Sequence, residues 1–320
     1  MLDDEAMDQP EVFLNGRWIP ASAAAVPLGD AGFVLGATVA EQLRTFHGKV
    51  FHLEDHLARL QHSLQIVGID PGMTIDQFAE VARELVARNH RLLAPGDDLG
   101  LSIFVTPGTY PAYLNAAAQR PTVCLHTYPL PFRLWAEKYR TGQALVTTDV
   151  EQISPRCWPP ALKCRSRMHY YLADCRAAAA EPGARALLQD PDGFVTETST
   201  ANVLVYTSLG LISPPSTKIL HGISLAVIVE LAEGLGISTL ERDLRPEDVA
   251  SADEVLLGST PLCLLPVTRF NGRPIGDGKP GAVFGRLAAA WSALVGLDIV
   301  RQAEQFAGRE PAAEPAWVDD

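Results

Sequence analysis

The sequence predicts a mixed protein, α+β or α/β in class, built as two domains. Three observations carry this. Apolar segments of strand length repeatedly trade places with segments whose apolar residues recur at helical spacing. Tight glycine-bearing turns join several of the strand-like pieces. A stretch mixing proline, aromatic and basic residues, Pro129 to Arg140, interrupts the pattern. A smaller N-terminal domain is expected over 12–130, an interdomain linker over 131–143 and a larger domain over 144–303, with mobile tails at 1–11 and 304–320. A chain of 320 residues can bury two such cores, and 47% hydrophobic with 20% charged residues is a globular composition.

In chain order, Val12-Phe13-Leu14 and Arg17-Trp18-Ile19 flank Asn15-Gly16, a hairpin signal. A strand carrying Leu43, Arg44 and Thr45 leads into a second tight turn at His47-Gly48. Leu53, Leu57, Leu60 and Leu64 mark an amphipathic helix, with Arg59 beside its apolar stripe. A second helix is expected over 74–89, then strands over 100–106 and 122–128. In the second domain, strands near 144–148, 185–188, 193–198, 201–206 and 253–258 alternate with helices near 170–180 and from 222 onward. Asn271-Gly272 marks a late hairpin, and a final helix follows the loop 276–281.

Several function classes are set aside at this level. The formal net charge of -12 gives no general attraction to nucleic acid or to an anionic membrane. The longest charge-free runs, 99–119 and 198–217, are broken by Pro, Gly and polar residues and do not read as membrane spans, and the acidic N-terminus is unlike a signal peptide. Five cysteines, an odd count without a Cys-x-x-Cys, fit free thiols in a reducing cytoplasm. His52 and His56 stand four apart with acids between them, but the order is not His-Glu-x-x-His and no third ligand stands out. They read as surface histidines on an acidic helix start, and no metal is expected. Gly276-Asp277-Gly278-Lys279-Pro280-Gly281 lacks the spacing of a phosphate-binding P-loop.

The chemistry concentrates in two stretches. Lys163 follows an apolar, proline-rich approach (157–162) and precedes a helical segment. An amine desolvated there has a lowered pKa and can attack a carbonyl. Glu197 is the single carboxylate in a run of Thr, Ser, Val and Ala, and a buried carboxylate needs a partner. Further on, Gly222-Ile223-Ser224 opens a helix, where free backbone N–H groups form an anion seat. Pyridoxal 5′-phosphate uses an amine, an acid and an anion seat together.

The order of these stretches resembles that of the class IV (fold type IV) aminotransferases, which include branched-chain and D-amino-acid aminotransferases and aminodeoxychorismate lyase. The resemblance runs from about Phe13 to Gly296. It implies two α/β domains with the cofactor in a crevice between them, and a homodimer. Lys163 is implied as the Schiff-base lysine and Glu197 as the partner of the ring nitrogen. Arg59, Ser224, Thr260 and the Ile223 N–H are implied to hold the phosphate, and Tyr170 to lie near the 3-oxygen of the ring. The implied reaction moves an amino group between an amino acid, branched-chain L or D, and a 2-oxo acid.

Some family features are missing. Arg165-Ser166 stand where branched-chain enzymes carry Gly-Gly, and Asp98-Leu99-Gly100 occupies the place of their Tyr-x-Arg. Thr106-Pro107-Gly108 replaces the Thr-Arg-Gly of D-amino-acid enzymes. Arg44, Arg133 and Arg167 are then the candidates, by charge, for the substrate carboxylate. Arg167, four positions after Lys163, also matches the lyase, so release of pyruvate and 4-aminobenzoate from aminodeoxychorismate stays open. A non-catalytic binding protein is the third reading, opposed by the presence of both Lys163 and Glu197.

Overall fold

The computed structural model describes residues 9–113 and 120–309. They form two units. One holds the chain through Leu130 together with Leu162–Ser166; the other holds Pro131–Ala161 and Arg167–Arg309.

In the first unit, β1 (Glu11–Leu14) and β2 (Arg17–Pro20) form the expected hairpin, with Asn15 and Gly16 at φ 51° and 80°. A short helix α1 (Ala31–Val34) precedes β3 (Val39–Phe46) and β4 (Lys49–Val50), joined at His47-Gly48. Helices α2 (Leu53–Val67) and α3 (Ile75–His90) follow, then β5 (Leu99–Thr106) and β6 (Thr122–Pro129). A capping box between Thr74 and Gln77 fixes the start of α3. The sheet runs β2-β1-β6-β5-β3-β4, each neighbouring pair antiparallel. Leu57, Leu60, Phe78 and Leu85 of the helices pack against Leu43, Leu101, Ile103 and Leu125 of the strands. Strand side chains alternate, so Glu41 faces the helices with Leu43, while Gln42 and Arg44 face away.

The sequence assigns Lys163 to the second domain, whereas its contacts lie in the first unit. The Ala40 N–H donates to the Lys163 carbonyl (3.1 Å), the Arg165 N–H to the Thr38 carbonyl (2.8 Å), and Cys164 bridges Val39. The edge of β3 needed hydrogen-bond partners, and residues 163–165 provide them.

The second unit begins inside the expected linker. A 3-10 turn (Phe132–Leu134) and α4 (Lys138–Thr141) occupy it, with Phe132, Trp135 and Tyr139 buried. Apolar burial converts that stretch into core. There follow β7 (Gln143–Thr147), α5 (Met168–Ala180), β8 (Arg185–Gln189), β9 (Val195–Thr198), β10 (Asn202–Thr207) and β11 (Gly210–Ser213). The chain continues through α6 (Ile223–Gly234), β12 (Thr239–Glu241), α7 (Pro246–Ala250), β13 (Glu254–Ser259), β14 (Cys263–Phe270), β15 (Arg273–Pro274), α8 (Ala282–Val295) and α9 (Ile299–Phe306). Residues 304–306 thus belong to α9 and Glu11 to β1. Residues 1–8 and 310–320 of the expected tails lie outside the described residues.

The sheet order is β12-β11-β10-β13-β14-β7-β8-β9, with β15 on β14. An added pairing of Asn202 with Glu197 joins β10 to β9, so six strands close a circuit. Helix α5 packs on β8 through small residues, with Ala173 and Ala177 against Ala186. No single helix among the described residues is long and apolar enough to cross a membrane.

Candidate active site

Where β9 and β10 part, the second unit builds a polar row. Glu197 is 7% exposed. Its Oε1 accepts from the Tyr170 hydroxyl (2.9 Å) and Gln152 Nε2 (3.1 Å); its Oε2 accepts from Asn202 Nδ2 (3.1 Å) and the Leu220 N–H (3.3 Å). Gln152 Nε2 also donates to the Tyr170 oxygen (2.8 Å), so the phenol's single proton goes to Glu197. Burial first, and then the Glu197 charge, push the Tyr170 hydroxyl well above its ordinary range. His169 Nε2 lies 2.9 Å from Gln152 Oε1. Burial, then Arg167, pulls the His169 value down to about 4, so the ring is neutral and its Nε2–H donates.

Asn202 carries this row to α6. Its Nδ2 also donates to the Leu220 carbonyl (3.0 Å). A Cβ on Gly222 would come within 2.0 Å of Asn202 Oδ1, so only glycine lets the chain pass. Gly222 is the N-cap of α6 and offers no side-chain cap. The first-turn N–H groups, that of Ile223 among them, are left to face an anion, and Ser224 sits in the same turn. Asn202 pairs with Gly258 across β13, and Thr260 directly follows that strand. Ser259 Oγ donates to the Thr200 carbonyl (2.6 Å), fixing this strand end beside the start of β10.

The first unit holds a different cluster. Arg59 grips Glu41 with two bonds, Nε to Oε1 (2.8 Å) and Nη2 to Oε2 (2.7 Å). His56 Nδ1 lies 2.8 Å from Glu41 Oε2 and acts as the donor. Burial pushes the Glu41 carboxyl up, but the Arg59 charge and its hydrogen bonds, with His56, overcome it and hold the value at about 2. Burial pulls His56 below its ordinary range, and the charges of Arg59 and Lys163 act the same way. The Lys163 N–H donates to Ser63 Oγ of α2 (3.2 Å), so the lysine segment is tied to the helix that carries Arg59.

One expectation is corrected. His56 is not a surface histidine: it is fully buried and serves Glu41. Tyr170 spends its proton on Glu197. The three candidate arginines separate. Arg167 donates to the Ser199 carbonyl and lies 4.7 Å above the Tyr170 ring. Arg44 is buried over the Phe46 ring at 4.0 Å, with Nε bonded to the Thr45 carbonyl. Arg133 is exposed on its turn and joins neither cluster among the described residues. Sequence reasoning missed Glu41, Gln152 and Asn202 as functional positions. Asn202, five residues after Glu197, had a signal in its spacing; Gln152 had none. Among the described residues no group of three or more His, Cys, Asp or Glu could hold a metal ion.

The chain matches known proteins over most of its length. The model of the "Amino-transferase class IV" family matches residues 38–270. The chain is 31% identical over 275 residues to a D-alanine aminotransferase of Bacillus licheniformis, covering 85% of this chain and 92% of that one. The solved branched-chain amino acid aminotransferase of Escherichia coli superposes with a TM-score of 0.82 at 25% identity, covering 90% of this chain and 94% of that one. The branched-chain amino acid aminotransferase of Thermobaculum terrenum, solved in its PLP form, shares the fold, with a TM-score of 0.79 at 23% identity over 93% of this chain and 97% of that one. The match to the family model spans most of the sequence, and the chain belongs to the class IV aminotransferases.

Proposed function

We propose that this aminotransferase works with pyridoxal 5′-phosphate, bound to Lys163, and moves an amino group between an amino acid and a 2-oxo acid. The observation that supports this is the row through Asn202. The cofactor has a cationic ring N–H at one end and a phosphate at the other. Asn202 ties the Glu197 carboxylate to the uncapped start of α6, which suits both ends. When bound, the cofactor supplies an electron sink for the charge left at the substrate Cα. Glu197 holds the proton on the ring nitrogen, while Tyr170, Gln152 and Asn202 hold Glu197. The Ile223 N–H, Ser224, Thr260 and Arg59 bind the phosphate. The Lys163 amine, once released, takes the proton from Cα and returns it as general base and acid.

The lyase reading finds less support. The relatives above are named aminotransferases, and Arg167, its one sequence signal, is engaged with Ser199 and Tyr170. A homodimer is supported by exposed apolar residues in and just before α1, Leu28 at 81% and Phe33 at 71% exposure, a surface suited to a second copy. Sedimentation of active enzyme as a monomer would refute it. A cytoplasmic location fits the five free thiols.

The test of the main reading is chemical. Borohydride reduction should fix a pyridoxyl group on Lys163, found by peptide mapping; a group on any other lysine overturns the assignment. A half-reaction screen with D- and L-amino acids then identifies the donor.

A further inference from the structure

The face of the first-unit sheet turned away from α2 and α3 carries a chain of polar contacts that the roles above do not use. Gln42, Ser102 and His126 form one cross-strand row, and Arg44, Gly100 and Tyr128 the next. The Tyr128 ring lies across β5, where a Cβ on Gly100 would meet it at 2.2 Å. Its hydroxyl thereby reaches Gln42 Oε1 (2.9 Å). Gln42 Nε2 donates to Ser102 Oγ (2.9 Å), and Arg165 Nη2 donates to the same oxygen (2.8 Å).

Counting protons shows what this chain of contacts lacks. Ser102 Oγ accepts twice, and among the described residues its own proton has no acceptor. Turning the Gln42 amide over gives Ser102 an acceptor but leaves the Tyr128 proton without one. Either way one hydroxyl donor remains, beside a guanidinium. The positions of β3, β5 and β6 on this face include no Asp or Glu, and Asp30, which meets the face at its far end, is bonded to Thr106 and Thr122. Arg165 also lies 5.3 Å over the Phe104 ring, and its charge acts on Cys124, His126 and Tyr128 across β6. Burial pushes the Tyr128 hydroxyl up to about 12, against the pull of Arg165 and Arg44, so it stays a neutral donor. The patch lies next to the lysine: Ala40, which bonds the Lys163 carbonyl, is two residues from Gln42, and Arg165 is two residues from Lys163.

We infer that Arg165, with the one hydroxyl donor left over in the Ser102–Gln42–Tyr128 chain, binds a carboxylate of the amino-acid substrate. This rests on the assignment of Lys163 as the cofactor lysine. Arg165 replaces the arginines 44, 133 and 167 as the substrate-binding guanidinium. The carboxylate is either the one on Cα or one in the side chain, and the two sources give different results below.

The test compares the parent with Arg165→Gln, Arg165→Lys and Ser102→Ala. Half-reactions are followed with alanine and glutamate of the active hand, and cofactor affinity is measured separately. Binding of glutarate, which has no amine and cannot react, is measured by calorimetry. Loss of a charge-assisted bond should raise KM in Arg165→Gln by about tenfold to a hundredfold. Arg165→Lys should recover part of this, and Ser102→Ala should lose a few-fold. Cofactor affinity should hold in all three. A rise for both amino acids assigns the Cα carboxylate; a rise for glutamate alone assigns the side-chain carboxylate. KM values and glutarate binding within twofold of the parent overturn the inference, as does an equal loss of cofactor affinity. If the parent shows no pyridoxyl adduct on Lys163, the cofactor reading fails instead, and glutarate binding still decides the role of Arg165.

Discussion

Glu41 and Glu197 are both buried strand carboxylates, at 0% and 7% exposure, yet they are held differently. Glu41 in the first unit meets a guanidinium in a two-bond grip and a histidine. Glu197 in the second unit receives hydrogen bonds from a phenol, two amides and a backbone N–H. A carboxylate paired with a full positive charge spends its field on that partner, and its role is to anchor. A carboxylate that accepts from a phenol, two amides and a backbone N–H is fixed in place by them, and on the proposed reading it serves a cation that a ligand brings. On the proposed reading, the chain uses one residue type to position Arg59 and the same type to act on a ring nitrogen.

The largest expected effect tests the anchoring half. Glu41→Gln leaves Arg59 buried without its counter-charge, and breaking a buried pair costs about 3–5 kcal/mol. Denaturant midpoints should fall accordingly with an unchanged slope. The acid dependence should change too. The folded value of Glu41, about 2, lies below the ordinary 4.5, so its contribution is complete above 4.5 and is lost as pH falls toward 2. The variant should lack that part of the acid slope. A stability loss under about 1 kcal/mol would remove the contrast.

Next comes the acting half. Glu197→Gln should retain the cofactor but lose on the order of a hundredfold to a thousandfold in kcat, as for other preorganised electrostatic groups. The amide keeps most of the local hydrogen bonds and removes the charge. Turnover within a few-fold of the parent would mean that Glu197 only holds its neighbours.

How far these roles were legible depends on where each partner lies along the chain. Glu197 and Asn202 are five residues apart, and Gly222 to Ser224 are contiguous, so a local motif displays them. Glu41 meets Arg59 and His56 at separations of 18 and 15 residues, brought together by the packing of α2 on β3. Gln152 reaches Glu197 across 45 residues, and Arg165 reaches Ser102 across 63. No periodicity encodes such encounters. The two domains were readable from alternating patterns and turn residues, because those are local. The stretch 131–143 reads as a linker because Pro129 and Pro131 open it among polar and basic residues, while burial of Phe132, Trp135 and Tyr139 makes it core.

A smaller effect separates the two functions of an arginine. Arg59→Ala removes a charge-assisted partner of an anion, a loss of roughly 1.5–3 kcal/mol. Cofactor affinity should fall by about tenfold to a hundredfold, while KM for the amino acid at saturating cofactor changes little. A steep KM rise with full cofactor affinity would give Arg59 the substrate carboxylate and contradict the role inferred for Arg165.

The smallest expected effect examines how Glu197 is held. Tyr170→Phe deletes one donor to Oε1 but leaves Gln152 Nε2 within 3.1 Å of the same oxygen. The remaining amide compensates in part, so the loss should be about 1 kcal/mol, or roughly fivefold in kcat. The phenol titrates well above its ordinary range, so it keeps its proton through the assay range and the pH profile should not move. Its action runs through Glu197, and this predicts non-additivity. In the Glu197→Gln background, Tyr170→Phe should cost nothing further. Full additivity, together with a shifted absorption band in the single variant, would place the phenol on the 3-oxygen of the cofactor. Glu197 would still accept from its two amides and the Leu220 N–H, and the contrast with Glu41 would no longer include the phenol.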